Sequence, residues 1–129
     1  MFLIQTKITL KNADDLMAVR RGYIEEPEVR EATVSALVDT SAWTLTINEA
    51  TRKRLGLEFL GTGTKSEYQL AGPLEVRWKN RRTTCDAVVV PDSEDILLGS
   101  IPLEALDLKI NPNRELVGVH GDQVMHKVS

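Results

Sequence analysis

The chain has a single cysteine in 129 residues. Cys85 therefore has no partner for an internal disulfide, which fits a reducing compartment. Histidine is almost as scarce. His120 and His126 stand near the tail without cysteine or carboxylate partners at ligand spacing, so they read as solvated or structural rather than as a zinc site. There is no apolar run of membrane-spanning length. The opening Met-Phe-Leu-Ile-Gln-Thr-Lys has neither the basic start nor the long apolar segment of a signal peptide. Positive charge is not in excess either: 16 Lys and Arg stand against 19 Asp and Glu, for a net charge of -3. The clusters Arg20-Arg21, Arg52-Lys53-Arg54 and Lys79-Asn80-Arg81-Arg82 accordingly read as solvated turns or helix faces, not as a phosphate track. Gly61-Thr62-Gly63 lacks the rest of a phosphate-binding loop. These absences predict a cytoplasmic protein with no metal or other cofactor, no nucleic-acid partner and no membrane partner.

What remains is ordinary for a globular domain, with 42% hydrophobic and 27% charged residues and enough length for one real core. Apolar and polar residues alternate over 2–10, which predicts an opening strand. Residues 11–15 read as a turn or loop, and the state of 16–24 is left open. Pro27 bars residues 25–28 from a central strand, and the carboxylates of Glu25, Glu26 and Glu28 read as a hydrated loop rather than a metal site. Strands follow at 34–38 and at 43–47. Asn48 then caps a short helix over 49–55 that Gly56 ends in the left-handed conformation. Residues 60–66, polar and glycine-bearing, read as the best candidate for a mobile hairpin tip or lid. Residues 74–79 and 83–90 form a hairpin around Asn80-Arg81. A second apolar run, 96–98, ends at Gly99, after which Ser100 caps another short helix with Pro102 in its first turn. Short strands at 108–110 and 116–119 precede a polar tail. Many short strands, two brief helices and steady turns predict a mostly β barrel or sandwich. Strand, turn and short helix also recur faintly, once after residue 36 and once after residue 96.

The rest of the chain is organised around residues 34–43, where an apolar strand runs straight into Asp39, Thr40, Ser41, Ala42 and Trp43. A carboxylate at the end of a buried strand is costly unless its charge is shared, bonded or used, so Asp39 is a candidate for acid–base chemistry. The plain alternative is a strand ending in a solvated Asp-Thr-Ser turn. Cys85 lies inside an alternating strand pattern and reads as a small buried core residue rather than a nucleophile paired with His120 or His126. Trp43 and Trp78 both fit strand periodicity and read as core or dimer packing.

The run Ala-Leu-Val-Asp-Thr-Ser-Ala-Trp at 36–43 resembles the Asp-Thr-Gly-Ala active-site segment of retropepsin-like aspartic proteases. Ile-Leu-Leu-Gly-Ser at 96–100, with the following helix, is similar to the family's second landmark of hydrophobic pair, glycine and helix. Segments 68–76 and 80–88 look like the small single-lobe bacterial members, and the likeness covers roughly residues 4–119. The resemblance implies a mainly β, acid-protease β-barrel lobe with one or two short helices over residues 1–120, followed by the tail 121–129.

It also implies an aspartic endopeptidase acting on a peptide or protein substrate. Such chemistry needs two carboxylates sharing one proton, one acting as acid and the other as base. With one motif per chain, the second would be Asp39 of another copy, in a two-fold homodimer. By the same resemblance Thr40 hydrogen-bonds across the dimer beneath the dyad, Ala42 leaves room for substrate, and Gly99 lets the second apolar loop pack on the active-site turn. Gly61, Thr62, Gly63 and Tyr68 would belong to the flap that closes over substrate. The chain departs from the pattern in two places. Ser41 replaces the usual glycine, and the interval 57–68 is several residues short of a full flap. Two other readings stay open: a retropepsin-fold dimer of impaired catalysis that binds peptide or protein, and an unrelated small β-barrel.

Overall fold

The computed structural model describes residues 4–62 and 69–120. Strand β1 (Ile4–Asn12) buries Ile8, Leu10 and Asn12 and turns Lys7, Thr9 and Lys11 outward, as a period of two requires. It pairs antiparallel along its length with β2 (Glu31–Val38) and, through its second half, with β5 (Gln69–Trp78). Strands β3 (Leu45–Ile47), β4 (Glu58–Thr62), β6 (Arg81–Val89) and β7 (Leu97–Leu98) complete one sheet of order β1-β2-β7-β3-β6-β5-β4. The β1–β5 pairing closes six of these strands into a barrel and leaves β4 as a flange on β5. Leu10, Val38, Leu45, Ile47, Leu74, Val76 and Leu98 fill its interior. A separate two-stranded sheet joins β8 (Leu108–Ile110) to β9 (Leu116–Gly118). The mainly β barrel expected from the sequence is therefore the fold, and no helix among the described residues is long and apolar enough to cross a membrane.

Among the described residues three short helices pack around the barrel, one more than the sequence suggested. The added one, α1 (Ala13–Arg20), occupies the segment whose state was open and part of the stretch read as a loop. Its origin is Asn12, whose side chain leaves the end of β1 and accepts the Asp15 N–H at 3.0 Å, while Asp14 and Asp15 sit in the positively polarised first turn. Helix α2 (Glu49–Leu55) starts at Asn48, which accepts the Thr51 N–H at 2.8 Å, and stops at Gly56 with φ +65°. These ends match the sequence reading. Helix α3 (Ser100–Ala105) differs by one residue: Gly99 is its cap and Ser100 already lies in its first turn. The β5–β6 turn also shifts by one. Trp78 pairs with Arg81 across Lys79-Asn80, and Lys79 takes the left-handed conformation at φ +52°. Glu25, Glu26 and Glu28 lie exposed around a 3-10 turn. Trp78 is core, only 5% exposed, whereas Trp43 stands 48% exposed.

Asn12 joins three elements. Besides capping α1 it donates from Nδ2 to the Leu55 carbonyl at 2.9 Å, tying the end of α2 to β1, and it is 3% exposed. Truncation removes a cap and leaves a buried carbonyl short of a donor, so Asn12→Ala is expected to cost about 2 kcal/mol. Urea unfolding should show the loss as a lower midpoint with an unchanged slope.

Asp15 is held by Arg30 through two side-chain hydrogen bonds, Nε to Oδ2 and NH2 to Oδ1, both 2.9 Å, and by the Arg30 N–H at 3.0 Å. The guanidinium bonds outweigh the opposing effect of burial and keep the Asp15 carboxyl below its ordinary 3.8. A depressed folded-state pKa means that the unfolded chain takes up protons first on acidification. The stability from this pair is thus complete above the ordinary carboxylate value and is lost as pH falls through the folded one. Between about pH 5 and pH 3 the urea midpoint of the native chain should fall more steeply than that of Asp15→Asn. Equal slopes would remove this pair from the acid response.

Candidate active site

Asp39 follows the last residue of β2, whose neighbour Val38 is wholly buried. The parallel partner β7 fixes the position of its backbone: Leu37 N–H donates to the Ile96 carbonyl at 2.8 Å and Asp39 N–H to the Leu98 carbonyl at 3.1 Å. The chain then folds back in a tight turn, with Ala42 N–H donating to the Asp39 carbonyl at 3.1 Å. Within it the Asp39 Oδ1 accepts both the Ser41 N–H at 2.9 Å and the Ser41 hydroxyl at 2.5 Å. Oδ2 carries no hydrogen bond among the described residues. Asp39 and Ala42 are half-buried, and Thr40 and Ser41 are exposed. The turn therefore presents one bonded and one open carboxylate oxygen at the barrel's rim.

A second loop locks this turn from behind. A Cβ on Gly99 would lie 2.3 Å from the Thr44 carbonyl oxygen, 2.6 Å from that of Ala42 and 2.8 Å from the Thr44 nitrogen. No side chain fits in that gap, and the backbone conformation is ordinary there, so close approach alone demands glycine. From the next two residues, Ser100 N–H donates to the Ala42 carbonyl at 2.8 Å and Ile101 N–H to the Trp43 carbonyl at 3.0 Å. Thr44, buried, donates its hydroxyl to the Asp86 carbonyl at 3.2 Å. The residues after Asp39 are thus bonded on one side to the head of α3 and on the other to β6. Beside Thr40 runs a groove of about 420 Å³ between α3 and β8, walled by Ser100, Leu103, Leu108 and Ile110.

The structure brings Asp39, Thr40, Ser41, Ala42 and Gly99 together. Gly61 and Thr62 lie elsewhere, at the end of β4, paired with Leu70 and Gln69 of β5. Gly61 adopts φ +119° at a break in the pairing register. Gly63 and Tyr68, the other residues assigned to a flap, fall outside the described residues, as do His126 and the tail 121–129.

The remaining candidates settle into structural roles. Cys85 packs against the core from β6, and burial, with the nearby Asp86 charge adding, pushes its thiol up to about 12. It is no nucleophile at neutral pH. The His120 ring meets the Asp107 carboxylate at 2.6 Å, and its backbone N–H donates to the same side chain at 3.1 Å. Burial pushes the Asp107 carboxyl up, but the two His120 bonds and the His120 and Arg81 charges together hold it below the ordinary value. Sequence reading placed Trp43 in the central stretch but missed Thr44, whose only signal was its place in the run that follows Asp39. Among the described residues there is no cluster of His, Cys, Asp and Glu that could hold a metal ion.

No protein-family model matches the chain, and no curated protein matches it in sequence. Among solved structures it is similar to the crystal structure of a retropepsin-like aspartic protease from Rickettsia conorii. That match has a TM-score of 0.51 at 16% identity and covers 90% of this chain and 91% of the other. At so low an identity the likeness is one of architecture: the barrel, with Asp39 at its rim, has a retropepsin-like fold.

Proposed function

We propose that this chain is an aspartic endopeptidase whose catalytic dyad consists of Asp39 from each of two copies related by a two-fold axis. The observation that carries the reading is the Asp39–Ala42 turn, set at the barrel's rim by β7 and Gly99 within a retropepsin-like fold. In this mechanism the two carboxylates share one proton and hold a water between them. The ionised Asp39 takes a proton from that water as its oxygen attacks the scissile carbonyl carbon, and the protonated Asp39 gives its proton to the carbonyl oxygen. The tetrahedral diol then collapses as a proton passes to the leaving nitrogen, which breaks the C–N bond and returns the pair to its shared-proton state. The titration belongs to the pair, and activity favours acidic to near-neutral pH.

The other site residues follow from this assignment. Thr40 braces the two turns across the axis, Ala42 leaves space for the substrate backbone, and Gly99 keeps the second loop tight beneath both. Gly61, Thr62, Gly63 and Tyr68 form a reduced flap. Residues 1–120 constitute the protease lobe and 121–129 its tail, and the lone thiol suits work in the cytoplasm.

A competing reading, a dimer that binds peptide without turnover, draws on one observation. The Ser41 hydroxyl already occupies Asp39 Oδ1, in a turn where the family carries glycine. Digestion of a peptide library, with and without a pepstatin-type inhibitor, separates the two.

Asp39→Asn should lower cleavage by at least about 10²–10⁴-fold, the range for loss of a positioned acid or base, while sedimentation shows the dimer intact. Undiminished cleavage by that variant, or a strictly monomeric active species, would overturn the assignment. Gly99→Ala forces a methyl against two carbonyl oxygens and is expected to cost about 1–3 kcal/mol by denaturant unfolding. It should reduce cleavage further than the stability loss alone accounts for, because the atoms displaced are those of the Asp39 turn. Full activity in a folded Gly99→Ala protein would detach the second loop from the site.

A further inference from the structure

A groove of about 540 Å³ crosses the outer face of the barrel where β1 meets β5. Lys7, Lys11, Arg77 and Lys79 line it, with Glu31 at one end and Trp78 in its floor. A second groove of about 340 Å³ continues it around the β5–β6 turn, sharing Arg77 and Lys79 and adding Arg82. Beneath it lies the buried Arg81, whose guanidinium turns inward to the Leu106 and Asp107 carbonyls. Five cations besides the buried Arg81 therefore gather on one face of a chain whose net charge is -3. Glu31 pairs with Lys11 at 3.5 Å and Glu75 pairs with Arg77. Lys7, Lys79 and Arg82 have no carboxylate partner among the described residues, and Lys79 instead lies over the Trp78 ring at 4.6 Å. A cation held in place by an aromatic ring and left without a counter-charge is open to one from outside.

We propose that this face is a docking groove for an acidic protein segment in extended conformation. The spacing of the cations supports the shape. Lys7, Thr9 and Lys11 point outward from alternate positions of β1, and Arg77 lies directly across from Thr9. Cationic side chains thus recur at successive outward steps along the strand, about 7 Å apart, which is the spacing of side chains on one face of an extended peptide. Glu31 and Glu75 balance Lys11 and Arg77, so the uncompensated charge is that of Lys7, Lys79 and Arg82. Glu31 at the groove's end can accept a peptide N–H, a group that a nucleic-acid backbone does not offer. Single-stranded nucleic acid favours exposed aromatic platforms. Trp78 offers none: it is 5% exposed, Lys79 covers its ring, and its indole N–H is spent on the Thr6 hydroxyl at 2.8 Å.

The groove is distinct from the Asp39 turn. Lys7 sits across from Ser35, four residues before Asp39 and about 13 Å away along β2, and the groove runs from there towards Glu31. Docking here does not depend on catalysis. In a protease it would tether a substrate by a segment other than the one being cut.

The test uses the full chain carrying Asp39→Asn, so that the reading is independent of cleavage. The probe is a fluorescein-labelled octapeptide of alternating Glu and Ser, followed by fluorescence anisotropy at low salt. The controls are the Gln-Ser analogue and an octamer of deoxythymidylate. The Glu-Ser peptide should bind, weaken as salt screens the contacts, and lose about tenfold in affinity when Lys7→Glu and Lys79→Asn are combined. Both positions are exposed, and asparagine tolerates the left-handed backbone at residue 79, so the fold should survive. Arg82→Glu alone supplies an independent second variant. The proposal is overturned if the Glu-Ser peptide does not bind the folded chain, if the variants bind it unchanged, or if the Gln-Ser peptide or the deoxythymidylate octamer binds as well.

Discussion

The site depends on a gap too narrow for any side chain. At Gly99 the backbone of the second apolar loop lies against the carbonyls of Ala42 and Thr44, so close that a methyl group would overlap two oxygens. That contact lets the N–H groups of Ser100 and Ile101 reach the carbonyls of Ala42 and Trp43. Polar groups leaving an apolar barrel need such partners, because an unpaired carbonyl at the rim of a core costs about as much as a lost hydrogen bond. The two loops satisfy each other. The Asp39 carboxylate inherits a fixed position from these backbone bonds and adds to its own turn by accepting from Ser41 through Oδ1.

The same economy recurs at the seams of the barrel, where a few buried polar side chains stand in for missing strand pairing. Asn12 ends β1, starts α1 and binds the last carbonyl of α2. Arg81, 1% exposed, reaches from the β5–β6 turn to the carbonyls of Leu106 and Asp107 at 3.0 and 2.9 Å, and so pins the junction of α3 and β8. Asp107, at φ +61°, returns a carboxylate to His120 and a carbonyl to the Val119 N–H. The separate β8–β9 sheet is thereby fastened to the barrel by side chains and single backbone bonds.

What could be read from the sequence was local, and what escaped was long-range. Asn48, Glu49 and Gly56 announced α2 because cap, dipole and left-handed stop are all encoded within nine residues. The alternation of β1 and the apolar run at 96–98 were equally plain. Of the faint echo between the two strand–turn–helix units, the strands are neighbours, parallel with Leu37 beside Leu97 and Val38 beside Leu98, but β3 intervenes before α2 whereas β7 runs straight into α3. Helix α1 was missed because its cap, Asn12, was taken as part of a loop and the helix buries only Asp15. The β5–β6 turn was misplaced by one residue because Lys79 adopts a conformation that lysine seldom takes. Closure of the barrel by β1 and β5, more than sixty residues apart, left no local trace. Nor did the hydrogen bond from Ser41 to Asp39, although a hydroxyl two residues beyond a carboxylate made it conceivable.

The distribution of titratable groups bears directly on what the Asp39 turn can do. Hydrolysis of an amide by carboxyl chemistry requires an acid and a base at one point, and a single carboxylate cannot be both in the same step. Within the described chain several other candidates are engaged elsewhere: Asp15 with Arg30, Asp107 with His120, Glu75 with Arg77, and Cys85 raised out of reach by burial. Asp39 itself uses one oxygen on Ser41 and leaves the other open at the rim. On the protease reading proposed above Asp39 supplies one of two carboxylates, and Glu104 also lines the groove beside Thr40. On that reading a second molecule supplies the acid by symmetry, through the open oxygen; on the competing one proposed above the turn holds a ligand without cutting it.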